Sequence, residues 1–146
     1  MSEDVKDIIL SKLKGYVKKY ESPSLIRGYI EIEPKDLLNV SDILYNSLSA
    51  RFITATGFDN SKEFEIFYHF SFDNLNYVLT IKATISYENP VIQSLSTLSD
   101  AALWIEREIH EFFGIDFIGH PDLTHLLLPE DWEEGNYPYR REERNV

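Results

Sequence analysis

The stretch EFEIFYHFSFDNLNYVLTIKATISY, residues 63–87, decides the fold. Phe64, Ile66, Tyr68, Phe70 and Phe72 fall at every second position, with Glu65, Phe67, His69 and Ser71 between them. Side chains alternate across a strand, so a period of two marks a strand with one apolar face. Asp73-Asn74-Leu75-Asn76 is a turn by composition. Tyr77, Leu79, Ile81, Ala83, Ile85 and Tyr87 then repeat the alternation. The two runs form a hairpin whose apolar face requires a covering layer.

Outward from the hairpin, residues 51–58 carry Phe52, Ile53 and Phe58 and read as a preceding strand. Residues 25–33 alternate more loosely through Ile26, Gly28, Ile30 and Ile32 and read as another. The covering layer comes from three helices. Val5, Ile8, Ile9, Leu13, Tyr16, Val17 and Tyr20 make one stripe over 3–20, broken by Ser22-Pro23-Ser24. Pro34 opens a second helix, continued by Leu37, Val40, Leu44 and Leu48 to about residue 49. Residues 91–98 read as a connector. A third helix spans about 100–113, with Ser99 as its N-cap, Ala102, Ile105, Ile109 and Phe112 as its buried stripe, and Gly114 as its C-cap.

The expected fold is α+β and two-layered: a mixed, mostly antiparallel sheet packed by helices in the order α-β-α-β-β-β-α. Residues 1–114 form the domain. Residues 115–146 carry prolines at 121, 129 and 138 and glycines at 119 and 135, and read as an irregular, extended C-terminal arm. An arm of that length in a compact domain has a task or a partner.

Composition narrows the function. The 146 residues include no cysteine, which excludes a disulfide framework, a thiol nucleophile and Cys-ligated zinc or iron–sulfur centres in this chain. Net charge is −11, which repels nucleic-acid phosphates and anionic lipid. The charge is uneven: residues 1–20 are net +2, and residues 99–146 are net −8. No apolar run approaches the roughly 20 residues of a membrane span. Membrane association is therefore expected only through a partner.

Residues 104–132 concentrate the titratable groups. His110-Glu111 begins a zinc-protease-like motif, but Gly114 stands where the second histidine is required. Glu106, His110 and His120 or His125 supply donors for a metal-dependent enzyme. The plainer reading of Glu106 beside His110 is a solvated pair on a wet helix face. Glu130-Asp131 and Glu133-Glu134 read as surface or docking charge rather than an acid–base pair. Trp104 lies off the buried stripe and Trp132 lies in the arm. Each is either an anchor for a partner or packed back on the domain. Arg140-Arg141 suit carboxylates. A free-standing acidic module that binds a basic protein is a further possibility.

One ordered set of pieces goes beyond these readings. Trp104-Ile105-Glu106-Arg107-Glu108, Phe113-Gly114-Ile115, Gly119-His120-Pro121-Asp122-Leu123, Leu128-Pro129-Glu130-Asp131-Trp132 and Pro138-Tyr139-Arg140-Arg141 follow in sequence. This resembles the signature of the 30-kDa subunit of respiratory complex I, a module shared with membrane-bound energy-converting [NiFe] hydrogenases and archaeal relatives. The resemblance implies a hydrophilic, non-catalytic subunit of a peripheral arm on the cytoplasmic face of the membrane. It implies no cofactor in this chain, with iron–sulfur clusters and possibly a NiFe centre in its partners. Those partners are a large subunit of the 49-kDa or NiFe-hydrogenase type, a small iron–sulfur subunit and a two-cluster ferredoxin-like subunit. The quoted residues become the interface or arm-fixing positions, with the arm wrapping on partner subunits.

The sequence departs from the pattern at Thr124-His125 and at Tyr139 and Arg141-Glu142. Ile109-His110 and the longer Glu133–Tyr137 segment resemble the hydrogenase and archaeal branch more than the 30-kDa subunit of a proton-pumping complex I, which stays the alternative.

Overall fold

The computed structural model describes residues 2–141, with side chains from Val5 onward. Met1 and residues 142–146, the end of the expected arm, lie outside the described residues. Five strands form the main sheet: β1 (Lys19–Ser24), β2 (Arg27–Ile32), β3 (Arg51–Asp59), β4 (Phe64–Phe72) and β5 (Tyr77–Ile85), in the order β1-β2-β5-β4-β3. Only β2 and β5 run parallel. The sheet is thus mixed and mostly antiparallel, as the alternation implies.

The β4–β5 register runs unbroken from Phe64 opposite Ile85 to Phe72 opposite Tyr77. The alternate residues from Phe64 to Phe72 and from Tyr77 to Ile85 therefore share one face and are buried, while Tyr87, beyond β5, is half-buried. The other face carries Tyr29, Phe67, His69 and Lys82 and is largely half-buried or exposed. Helix α1 (Ser2–Lys12) buries Val5 and Ile9 in the core cluster, and α2 (Leu37–Asp42) buries Leu37 and Val40. Each large apolar side chain so buried contributes about 1.5–3 kcal/mol.

Several boundaries differ from the periodicity. The first helix does not reach residue 20. Gly15 takes a φ of +93°, and the Lys18 amide is captured by the Glu31 carbonyl at 2.7 Å. Residues 19–24 become the edge strand β1, and Ile8 is exposed. Pro23 fits there because the outer side of an edge strand needs no donor. The second helix starts as a 3-10 turn (Pro34–Asp36) and ends as a π-helical turn (Ile43–Ser47).

Within the expected connector lies a short strand, β6 (Val91–Gln93), which pairs in parallel with β7 (Asp116–Ile118), the start of the expected arm. Three-residue strands leave no period to read. The third helix, α3 (Ala102–Phe113), begins later than expected. Ser99 stands in the turn that leads into it, where its Oγ accepts the Ala101 amide at 3.3 Å and its carbonyl accepts the Ala102 amide at 3.2 Å. Ile105 is only half-buried, while Glu106, Glu111 and Phe113 are buried.

Candidate subunit interface

The charged residues of α3 determine the path of the chain beyond it. Gly114 ends the helix with a φ of +77°, a conformation open to glycine. Its bareness matters as well: a Cβ there would stand 2.5 Å from the Tyr137 ring and 2.6 Å from the Arg140 guanidinium. After β7 the chain turns at Gly119 and returns along the helix as a strap.

Leu103, Arg107 and Glu111 recur every four residues, so they share one helix face. Each holds the next portion of the strap. The His120 ring accepts the Asp122 amide on Nδ1 at 3.0 Å, so its proton lies on Nε2 and is donated to the Leu103 carbonyl at 2.8 Å. Arg107 donates to the carbonyls of Thr124 and His125 at 3.2 and 2.8 Å. The Glu111 carboxylate accepts the backbone amides of Leu126, Leu127 and Leu128 at 2.8–2.9 Å and the His125 ring at 3.1 Å. Burial pushes the Glu111 carboxyl up, but those donors outweigh it and hold it below its ordinary value.

The strap ends on the last carbonyls of α3, groups the helix itself cannot satisfy. Tyr139 donates its amide to the Phe112 carbonyl at 3.0 Å and stacks on the Phe112 ring at 4.3 Å. Arg140 donates Nε to the Phe113 carbonyl at 2.7 Å and lies over the rings of Tyr137 and Phe64. Its charge also suits the negative end of the helix. Arg141 donates its amide and Nε to Asp59 at the end of β3, at 3.0 and 2.7 Å.

Glu106 is not on a wet face. It is 1% exposed, accepts Ser94 Oγ at 2.5 Å and the Leu95 amide at 2.8 Å, and so ties α3 to the loop after β6. Desolvation raises its pKa, against the pull of those two donors and of His120. Helix periodicity cannot reveal this, because the burial comes from a loop that folds over the helix.

His110 is engaged elsewhere than with Glu106: its Nδ1 meets the Ile115 carbonyl at 2.9 Å and Asp116 at 3.2 Å. Among the described residues, no three His, Asp or Glu side chains gather as metal ligands would. His110, Asp116, His125, Glu130, Trp132 and Tyr137 instead line a cleft of about 490 Å³ between α3 and the strap.

The remaining quoted residues fall into two groups. Trp132 is half-buried and donates Nε1 to the Asn136 carbonyl at 2.8 Å, closing the turn that Pro129 begins. Leu123 is half-buried against the core, and Glu108 is half-buried. Pro121, Asp122, Pro129, Glu130, Asp131 and Pro138 are exposed, and Trp104 is 69% exposed. The arrangement also uses Glu111 and Asp59, which the quoted signature does not include. The i, i+4 spacing of Arg107 and Glu111 was the available signal for the first.

Residues 30–144 match the family model described as respiratory-chain NADH dehydrogenase, 30 Kd subunit. The chain belongs to this 30-kDa subunit family. It is 28% identical over 149 residues to the C subunit of NADH-quinone oxidoreductase from Salinispora tropica, covering 96% of this chain and 60% of that protein. The chain thus spans somewhat more than half the length of that relative. It is also 36% identical over 80 residues to the C/D subunit of NADH-quinone oxidoreductase from Erwinia tasmaniensis, covering 55% of this chain and 13% of that much longer protein. The 30-kDa-type fold recurs in a chain from the structure of the membrane-bound sulfane sulfur reductase, an archaeal respiratory membrane complex. The TM-score is 0.84 at 23% identity, over 94% of this chain and 82% of that one. No helix among the described residues is long and apolar enough to cross a membrane.

Proposed function

We propose that this chain is a non-catalytic structural subunit in the peripheral arm of a membrane-bound, ion-translocating electron-transfer complex. It sits on the cytoplasmic face and holds a large subunit of the 49-kDa or NiFe type in register with iron–sulfur subunits. The observation that carries this reading is the use of the polar groups the family resemblance singles out. Arg107, His120 and Arg140 bond within the chain to fix one strap on one helix, and Glu106 ties the same helix to the loop after β6. Such residues build a rigid surface rather than a reaction centre. That surface presents Trp104, Leu127 and the acidic turn Glu130–Glu134. The C/D relative supports the pairing with a large subunit, because there a 30-kDa-type module shares one chain with a second component. The chain itself carries no cofactor in this reading; clusters, and a NiFe centre if present, belong to its partners.

Within this class we favour the energy-converting hydrogenase and archaeal branch, on Ile109-His110 and the long Glu133–Tyr137 segment. The names of the matched relatives favour the 30-kDa subunit of complex I as the second reading. Affinity purification from detergent-solubilised native membranes, with mass spectrometry of the retained chains, tests both. The expected result is equal amounts of a large subunit and iron–sulfur subunits. Paired CxxC motifs in that large subunit mean the hydrogenase branch, and their loss means the second reading. Recovery of the chain alone overturns the proposal. Trp132→Ala is expected to reduce assembly and leave the redox potentials of the remaining complex unchanged; full assembly with lost turnover would contradict the structural role.

A further inference from the structure

The main sheet has two edges, and they differ in kind. β1 spans only six residues, contains Lys19 and Pro23, and breaks register between Glu21 and Ser24. Those features discourage the addition of another strand. β3 spans nine residues with no proline and no lysine, and its one register break, between Phe52 and Thr54, leaves Ala55–Asp59 regular. Among the described residues, no strand lies on its outer side. Among the described residues, nothing bonds the outward backbone groups of Ala55 to Phe58. Ile53 and Phe58 stand exposed along it.

A groove of about 150 Å³ runs beside this edge. Ala55, Thr56 and Gly57 form one wall, and Ile105, Ile109 and Phe112 of α3 form the other. Consecutive strand residues point to opposite faces, so a groove that all three line opens along the strand's edge. Gly57 brings the helix close: a Cβ there would stand 2.8 Å from the Phe113 ring. Glu108 is at the rim, with no cationic partner among the described residues. Trp104, one turn earlier, is exposed.

We propose that the β3 edge is the docking site for an extended segment of a partner protein of the complex. The segment adds a sixth strand beside β3, sets alternate apolar side chains in the groove under α3, and brings a lysine or arginine to Glu108. The inference rests on the reading of this chain as a structural subunit. The unpaired row of backbone donors and acceptors selects a strand as occupant. Charge selects a basic segment over a second copy, because two copies would each bring a net charge of −11 and a Glu108 to the same seam.

Hydrogen exchange by mass spectrometry on the free chain and on the purified complex tests this. Amides in 51–59 are expected to slow at least tenfold in the complex, while those of 19–24 stay unchanged. Glu108→Lys, which reverses the charge beside the groove, is expected to reduce incorporation at least tenfold with unchanged thermal stability, and Lys19→Glu is expected to have no effect. A complex that forms with 51–59 exchanging as in the free chain overturns the inference and leaves the subunit reading intact. Protection of 51–59 in a dimer of the free chain overturns it in favour of self-pairing. Failure to co-purify with any large or iron–sulfur subunit overturns both.

Discussion

Glu111 accepts four donors with one carboxylate, three of them successive amides of a segment that has no regular structure of its own. Its removal leaves those amides without their partner, and a lost bond to a charged group costs about 1.5–3 kcal/mol. Glu111→Gln is expected to destabilise the chain by about 1–3 kcal/mol in chemical denaturation and to open the strap near residues 124–137 to proteolysis. The pH dependence has a definite sign. The folded-state carboxyl lies below 4.5, its ordinary value, so its stabilisation is complete above that pH and fades as pH falls through the folded value. The gap between wild type and Glu111→Gln is therefore expected to close on acidification. Glu106 has the opposite sign. Its carboxyl is raised by burial, so its share is present below 4.5 and is lost as pH rises through the folded value. A gap that stays constant with pH would contradict this account of Glu111.

Between elements, the junction of α3 and the strap depends on geometry that few residues satisfy. Gly114→Ala combines a positive φ with collision against Tyr137 and Arg140, and is expected to cost about 1–3 kcal/mol and to release residues 137–141. Hydrogen exchange at the Tyr139 and Arg140 amides would show that release. Arg107→Lys keeps the charge but not the fork that reaches two carbonyls, and is expected to loosen the strap nearly as much as Arg107→Ala. The alternation in β4 and β5 was legible because each strand is long enough to repeat its period and lies on a single core. β1 was not, because Tyr16, Val17 and Tyr20 extend the helical stripe past Gly15, and only pairing with β2 decides otherwise. β6 and β7 are too short to show a period. Nor could the strap be traced, since its course is set by side chains of α3 that bond backbone groups, and backbone groups look alike in every sequence. The resemblance marked Arg107, His120 and Arg140 as important without showing that they bond to this chain's own backbone.

For the whole molecule, charge is the dominant surface property. Most of the excess lies in the last third of the sequence, and Glu130, Asp131, Glu133 and Glu134 form no ion pair among the described residues. Association with a basic partner surface is expected to weaken at least tenfold from about 0.1 to about 1 M salt, as the screening length falls from about 10 to about 3 Å. Binding measured across that range would show it, and salt-independent binding would mean that apolar contact dominates. The strand order also carries a consequence in time. β3, β4 and β5 are neighbours in sequence and can meet by short turns, but β2 pairs with β5 in parallel, with Arg27 opposite Val78. The first hairpin must therefore wait, with its apolar face bare, until more than forty further residues have been made and folded. Such distant pairing slows folding and leaves intermediates open to aggregation. Gly28 sits at that seam, where any added side chain would strike the Tyr77 hydroxyl, so the seam closes late and tolerates little.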